Sequence, residues 1–200
     1  MNRKSKVIII VSILCAVLLI SATLALCWLL RGPNSKTTRD VSLYGQWELP
    51  EKYSTLAVFP EKIPETAQKV TYYYKYQSGW NRPMCQIFLK CTFSEEEFAA
   101  EAERVRNIQI QTESGILGVK YDAESFVYPA YTAIEGYDFC YEYVLINEPE
   151  YQIIYAYAMN TMYADVGFDR KYLPDDYMAN FTDISVDGLD RYTIYGGYGR

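Results

Sequence analysis

The sequence predicts an α+β protein: a single N-terminal transmembrane helix, then an antiparallel sheet with at least one packed helix. Three observations lead there. Val7 to Leu30 runs without a charged residue. Lys69 to Gln77 and Met84 to Phe93 alternate in character with a period of two, the period of a strand. After Ser94 the apolar residues recur every three or four positions, the spacing of one helix face.

The apolar stretch VIIIVSILCAVLLISATLALCWLL holds only Ser12, Ser21 and Thr23 as polar side chains. At about 1.5 Å per residue it reaches about 36 Å, against roughly 30 Å of bilayer hydrocarbon. Its hydroxyls can bond back to backbone carbonyls of the same helix, so they do not oppose a span. Arg3, Lys4 and Lys6 precede it with no acid among them, which orients the N-terminus to the cytoplasm and the rest of the chain outward. A cleaved signal peptide is the competing reading, but its apolar region usually ends after about 7–15 residues. Here the run continues through Leu24, Leu26, Trp28, Leu29 and Leu30. Lipidation at Cys27 would need a small residue before it, where Leu26 stands. The expected organisation is a cytoplasmic tail (1–6), the membrane helix (7–30), a linker RGPNSKTTRD (31–40) and an extracytoplasmic domain (41–200).

Within that domain, Val70, Tyr72, Tyr74 and Tyr76 share one face of the first strand, and Lys69, Thr71, Tyr73 and Lys75 the other. The turn-like Ser78-Gly79-Trp80-Asn81-Arg82 leads to a second strand, whose apolar face is Cys85, Ile87, Leu89, Cys91 and Phe93. The two form a hairpin. Ser94-Glu95-Glu96-Glu97 is a capping box, and a helix follows over about Glu95 to Asn107, with Phe98, Ala102, Val105 and Ile108 on its apolar face and Arg104 and Arg106 near its end. Short strands are expected at Gly118 to Tyr121 and Ser125 to Tyr128. Tyr137 to Asn147 and Tyr151 to Met159 make a hairpin about Glu148-Pro149, a turn that sets Glu142 opposite Tyr155 and Cys140 opposite Tyr157. A last hairpin turns at Asp187-Gly188 between Thr182 to Val186 and Leu189 to Tyr195.

Two stretches, AVFPEKIPETAQKVTYYYKYQ (57–77) and QIFLKCTFSEEEFAAEAERV (86–105), resemble an uncharacterised family of membrane-anchored exported proteins of Gram-positive bacteria. The resemblance implies export and an anchored placement. It carries no catalytic signature.

Composition limits the chemistry. The chain has no histidine, which removes Ser-His and Cys-His nucleophile pairs, histidine-ligated metals and the usual neutral-pH proton shuttle. No S-x-x-K, Walker or G-x-G-x-x-G motif occurs, and no cofactor is implied. All 25 acidic residues follow Leu30, whereas Arg3, Lys4 and Lys6 precede it, so the balance beyond the apolar stretch is strongly acidic. That argues against nucleic acid as a partner. Asp183 to Asp190 offers oxygens at alternate positions before Gly188, but Ile194 takes the place where a calcium loop needs glutamate, so a turn is the better reading. Asn180-Phe181-Thr182 is a glycosylation sequon, meaningful only in a eukaryotic secretory pathway. Cys85 and Cys91 lie roughly 20 Å apart along one strand, too far to bridge. Cys140 pairs with either only if the hairpins are neighbours; otherwise the thiols serve as small apolar side chains, and an odd count leaves one available for intermolecular pairing.

The function expected is contact rather than catalysis: a membrane-tethered extracytoplasmic binding or accessory module facing a protein or a cell-wall glycan. The chain has 21 tyrosines, an amphipathic residue type common at contact surfaces. Tyr72, Tyr74, Tyr76, Tyr141, Tyr143, Tyr155 and Tyr157 are the candidate surface, with sheet packing as the alternative role of each ring. A carboxylate-based glycan hydrolase would draw on Glu135, Asp138 and Glu142. An accessory subunit of a membrane complex would pack its helix through Ser12, Ala16, Ser21 and Ala22.

Overall fold

The computed structural model describes residues 13–23, 34–48, 56–78, 83–112, 115–133, 140–161, 163–175 and 177. The chain divides into two units, Met1–Asn34 and Ser35–Arg200.

In the first unit, residues 13–23 form a helix (α1). Its apolar side chains Ile13, Leu14, Val17, Leu18, Leu19 and Ile20 are all exposed, so no side of it is buried within the unit. Its hydroxyls bond inward: Ser21 Oγ donates to the Leu18 carbonyl at 2.9 Å and Thr23 Oγ1 to the Leu19 carbonyl at 2.6 Å. Among the described residues no helix is long and apolar enough to cross a membrane, and the rest of the expected span, residues 7–12 and 24–30, lies outside them.

The second unit is built on a seven-stranded antiparallel sheet in the order β1-β2-β3-β9-β8-β7-β6, beside a two-stranded pair β4-β5. The strands are β1 Ser35–Thr38, β2 Gln68–Gln77, β3 Met84–Thr92, β4 Gln109–Thr112, β5 Gly115–Gly118, β6 Lys120–Asp122, β7 Ala130–Thr132, β8 Cys140–Asn147 and β9 Gln152–Met159. One helix, α2 (Glu95–Arg106), follows β3. The architecture is thus α+β with an antiparallel sheet, as the period switch at Ser94 implies.

The sheet is covered on both faces, and β9 shows why. In QIIYAYAM, Ile153, Tyr155, Tyr157 and Met159 enter one core while Ile154 and Ala156 enter the other. A strand flanked on both sides must be apolar at every position, so the alternation vanishes at the centre of the sheet and survives toward its edges. The first core also takes Tyr72 and Tyr74 of β2, the apolar face of β3, Phe98 and Val105 of α2 and the segment Leu56 to Phe59. The second core takes Tyr73, Phe88, Tyr143 and Leu145, and is closed by a strap of residues 163–177 whose Phe168, Tyr172, Leu173 and Tyr177 are buried. Phe168 stacks on Phe88 with centroids 4.9 Å apart, and the Tyr143 hydroxyl donates to the Tyr172 carbonyl at 2.9 Å.

Helix α2 begins at the N-cap Ser94 with one half of a capping box, the Glu97 carboxylate reaching the Ser94 hydroxyl in place of its amide. Ser94 is in extended conformation, its Oγ accepts from the Glu97 amide at 3.4 Å, and the same Oγ donates to the Glu97 carboxylate at 2.9 Å.

Several local expectations are corrected. Part of the expected linker is a strand: Ser35–Thr38 adds to the free edge of β2, pairing Thr38 with Tyr74 and Ser35 with Gln77, because β2 would otherwise leave a row of unpaired backbone groups. Ser125 to Tyr128 is not a strand. Asp122 Oδ1 accepts from the amides of Glu124 and Ser125 at 2.9 Å each, which bends the chain, and pairing resumes at β7 after Pro129. The β8-β9 register is two residues from that expected: Glu142 faces Tyr157 and Cys140 faces Met159. Its turn is longer than two residues, with a 3-10 segment at Glu148–Glu150 and Tyr151 in the left-handed region at φ 48°. Proline fits the first turn of that segment, and it cannot form a two-residue hairpin loop with φ above zero at both positions. The hairpin expected about Asp187-Gly188, the Asp183 to Asp190 segment and the Asn180 sequon lie outside the described residues.

Candidate functional site

Five of the tyrosines expected at the surface are in the cores: Tyr72, Tyr74, Tyr143, Tyr155 and Tyr157 are each at most 5% exposed. Tyr76 and Tyr141 are half-buried. The set is also divided, because Tyr155 and Tyr157 point into the first core and Tyr143 into the second. Burial is chemically tolerable where a hydroxyl has a partner, and of these rings Tyr72 is the exception, its hydroxyl buried without one. Tyr74 Oη donates to the Glu48 carbonyl at 3.1 Å and accepts from its amide at 3.0 Å, and Tyr157 Oη reaches Met159 Sδ at 3.5 Å. These rings hold layers together, which is the packing role open to each of them from the sequence.

Of the three acids considered for hydrolysis, Glu135 and Asp138 lie outside the described residues and Glu142 is buried at 3% exposure. Glu142 accepts a hydrogen bond from the Val58 amide at 2.8 Å, its carboxyl is pushed up to about 8 by burial, and the Val58 bond offsets only part of that. The Val58 carbonyl accepts in turn from Arg104 Nη2 at 3.3 Å. Arg104 is held by Glu101 through Nε at 2.9 Å and Nη2 at 2.7 Å, and Glu101 also bonds the hydroxyl of Tyr155. This chain of contacts runs from helix to loop to sheet and fixes the Leu56 to Phe59 segment over the first core. It presents no pair of carboxylates to a cavity.

An accessible feature lies nearby, where α2 ends over β6, β7 and the end of β8. A half-open cavity of about 220 Å³ is lined by Ala102, Arg106, Tyr121, Pro129, Tyr131, Ile146 and Glu148. Arg106 is in the last turn of α2, where a cation suits the helix dipole. Its Nε donates to the Tyr131 hydroxyl at 3.1 Å and its Nη1 to Glu103 at 3.0 Å, so the guanidinium is oriented before any ligand arrives. The Tyr131 bond is also the largest of the influences that keep Arg106 charged. Tyr121 stands on the edge strand β6 at 57% exposure, with its ring centroid 5.2 Å from that of Tyr131. Pro129 and Ile146 are joined by a backbone bond of 2.8 Å, which ties the chain beneath the cleft to β8. Glu148 opens the β8-β9 loop on the other side.

The cleft therefore offers one exposed aromatic face, one oriented cation and one carboxylate over an apolar floor. Such a set suits recognition of a ring-sized polar group by stacking and hydrogen bonding. Among the described residues no cluster of three or more Cys, Asp or Glu side chains is placed to hold a metal ion. Neither Tyr121 nor Tyr131 was distinguishable in sequence from the other tyrosines, because the three-residue strand KYD has no periodicity to read. Arg106 was legible only as a helix-ending charge. Compared with protein-family models, with curated proteins and with solved structures, the chain finds no match in any of the three.

Proposed function

We propose that this chain is a membrane-tethered extracytoplasmic binding module, anchored by residues 7–30 with its N-terminus in the cytoplasm, and that it contacts a cell-wall glycan through the Arg106–Tyr121–Tyr131 cleft. The observation that carries the binding role is the cleft itself, where a prealigned guanidinium and an exposed tyrosine face share a concavity about the size of one ring. The tether is supported by the uncharged run Val7 to Leu30, by the outward apolar side chains of α1 and by hydroxyls that satisfy themselves on its backbone. The orientation is supported by Arg3, Lys4 and Lys6. The resemblance to anchored exported proteins of Gram-positive bacteria agrees with both.

The test is titration of the full chain, held in neutral detergent, with soluble wall-glycan fragments. Saturable binding that weakens about tenfold or more in Tyr121→Ala and in Arg106→Ala is the expected outcome, the first removing the stacking face and the second the oriented donor. Absence of binding, together with recovery of only the monomer after crosslinking through position 121 on intact cells, counts against the reading. For the topology, protease added to intact spheroplasts should digest residues 41–200; their survival while a known external protein is cut reverses the orientation.

A further inference from the structure

Charge around the cleft at the end of α2 is unevenly matched. Arg106 is the one cation among the described residues that line it, and Glu103 already holds that cation through Nη1 at 3.0 Å. Glu103 is fixed in turn by Asn107, whose Nδ2 donates to it at 2.7 Å. Glu148 lines the cavity too, and its carboxylate takes part in no hydrogen bond or ion pair among the described residues. Its loop adds Glu150 two positions on, and the last turn of α2 brings the negative end of a helix dipole. On β6, Lys120 and Asp122 flank Tyr121, but strand alternation sends both toward the other face of the sheet, and their opposite charges offset. One carboxylate is left over, so the cleft is net acidic although a guanidinium stands in it.

The donors of the site suit a different kind of atom. With Nε on Tyr131 and Nη1 on Glu103, Arg106 keeps Nη2 without a partner among the described residues. The Tyr131 hydroxyl accepts from Nε and therefore retains its own proton to donate. Both donors match uncharged oxygens, such as the hydroxyls of a sugar ring. An acidic ligand would gain Arg106 but would also meet Glu103 and Glu148, and juxtaposed like charges are costly. A ligand with an ammonium group would give Glu148 a charge-assisted hydrogen bond, about twice as strong as a neutral one. It would do so beside the exposed ring of Tyr121, whose face attracts a cation. An N-acyl group in the same place carries a single neutral N–H and no charge, so it forfeits both gains.

We infer that the ligand of the cleft is a sugar with a free amine: Glu148 takes the ammonium of a non-acylated amino sugar, Arg106 Nη2 and the Tyr131 hydroxyl donate to its oxygens, and Tyr121 covers its ring. This inference rests on the glycan reading of the cleft and narrows it, since that reading alone is indifferent to acylation. Glu148 is then the residue that sets specificity.

The experiment titrates the full chain in neutral detergent with two labelled probes of equal length, a glucosamine oligomer and its fully N-acetylated counterpart, at mildly acidic pH where the amines are charged. The parent should bind the free-amine oligomer at least about tenfold more tightly, a ratio that one hydrogen bond to a charged group supplies. In Glu148→Gln the ratio should shrink to about twofold or less. In Glu95→Gln/Glu96→Gln, which removes two acids from the first turn of α2, it should stay as in the parent. Tyr121→Ala should weaken both probes together. Binding of the N-acetylated oligomer that equals or exceeds that of the free-amine one, and is lost in Tyr121→Ala, overturns the inference and leaves the cleft reading standing. Binding of neither probe overturns both. A ratio that survives in Glu148→Gln, or that falls as far in Glu95→Gln/Glu96→Gln, assigns the preference to the overall acidity of the domain and overturns the inference as well.

Discussion

At the scale of single residues, Glu142 is the position where sequence habit and structure disagree most. An acid on a strand among tyrosines reads as solvated or reactive, yet it lies in the first core, where the Val58 amide donates to it. Burial raises its carboxyl from 4.5 to about 8, so the folded state keeps a proton that the unfolded chain releases. The stabilising effect of that proton is complete below about pH 4.5 and is lost as pH rises to about 8. Across that window stability should fall by about 1.4 kcal/mol per pH unit, on the order of 5 kcal/mol in all. Asp40 and Asp169 titrate on the other side of this range, since hydrogen bonds hold both below the usual carboxylate value. Glu142→Gln keeps an acceptor for the Val58 amide and removes the titration. Denaturant melts of the two proteins between pH 5 and 8 should show a sloping parent and a flat variant, whatever constant offset the extra amide group introduces. Parallel slopes would mean that another group carries the pH dependence.

At the scale of elements, the parts with a strong period were the parts legible in advance. The β2-β3 hairpin and α2 fall almost where alternation and the capping box place them, because Thr71, Lys75, Gln86 and Lys90 keep one face of the hairpin partly polar although Tyr73 and Phe88 are buried there, and α2 buries a single side. The strap is the opposite case. Residues 163–177 have no period, only scattered aromatics, and their role follows from partners far away in sequence: Gln86, Phe88 and Tyr73. Gly167 shows how close that packing is, since a Cβ at this position would fall 1.9 Å from the Tyr73 hydroxyl oxygen and 2.1 Å from Cζ. Tyr73 is buried and its ring cannot swing away without disturbing Arg39. Gly167→Ala should therefore cost about 1–3 kcal/mol, the range of an overpacked core position. In hydrogen exchange the weakening should appear first in the strap, at amides such as Gly167 and Tyr172, while the β3-β9 ladder stays protected. Uniform loss of protection across the sheet would show instead that strap and sheet unfold as one unit.

At the scale of the whole molecule, strand order is what sequence could not supply. Hairpins are local, but the position of β9 between β3 and β8 is decided by which strands can be apolar on both faces, and that depends on the strap and α2 being present to cover them. The candidate cleft was hidden for the same reason: Arg106, Tyr121, Tyr131 and Glu148 come from separate elements and meet only in the finished fold. Strand order also settles the cysteines. Cys85 and Cys140 both stand opposite Met159, on its two sides, so their Cα atoms are about 10 Å apart across two strand spacings, beyond the reach of a disulfide. Cys85 and Cys91 are free thiols with no exposed surface, and burial pushes both up to about 12. A thiol that is neither ionised nor accessible does not react. In the native protein a soluble maleimide should therefore leave Cys85 and Cys91 unmodified, denaturant should expose both together with global unfolding, and a reductant should leave Tm unchanged. Mass spectrometry of the labelled peptides checks the first two. In the monomer, a Tm that drops in reductant would require an intrachain cross-link that the β3-β9-β8 order forbids, and would mean that this order is wrong.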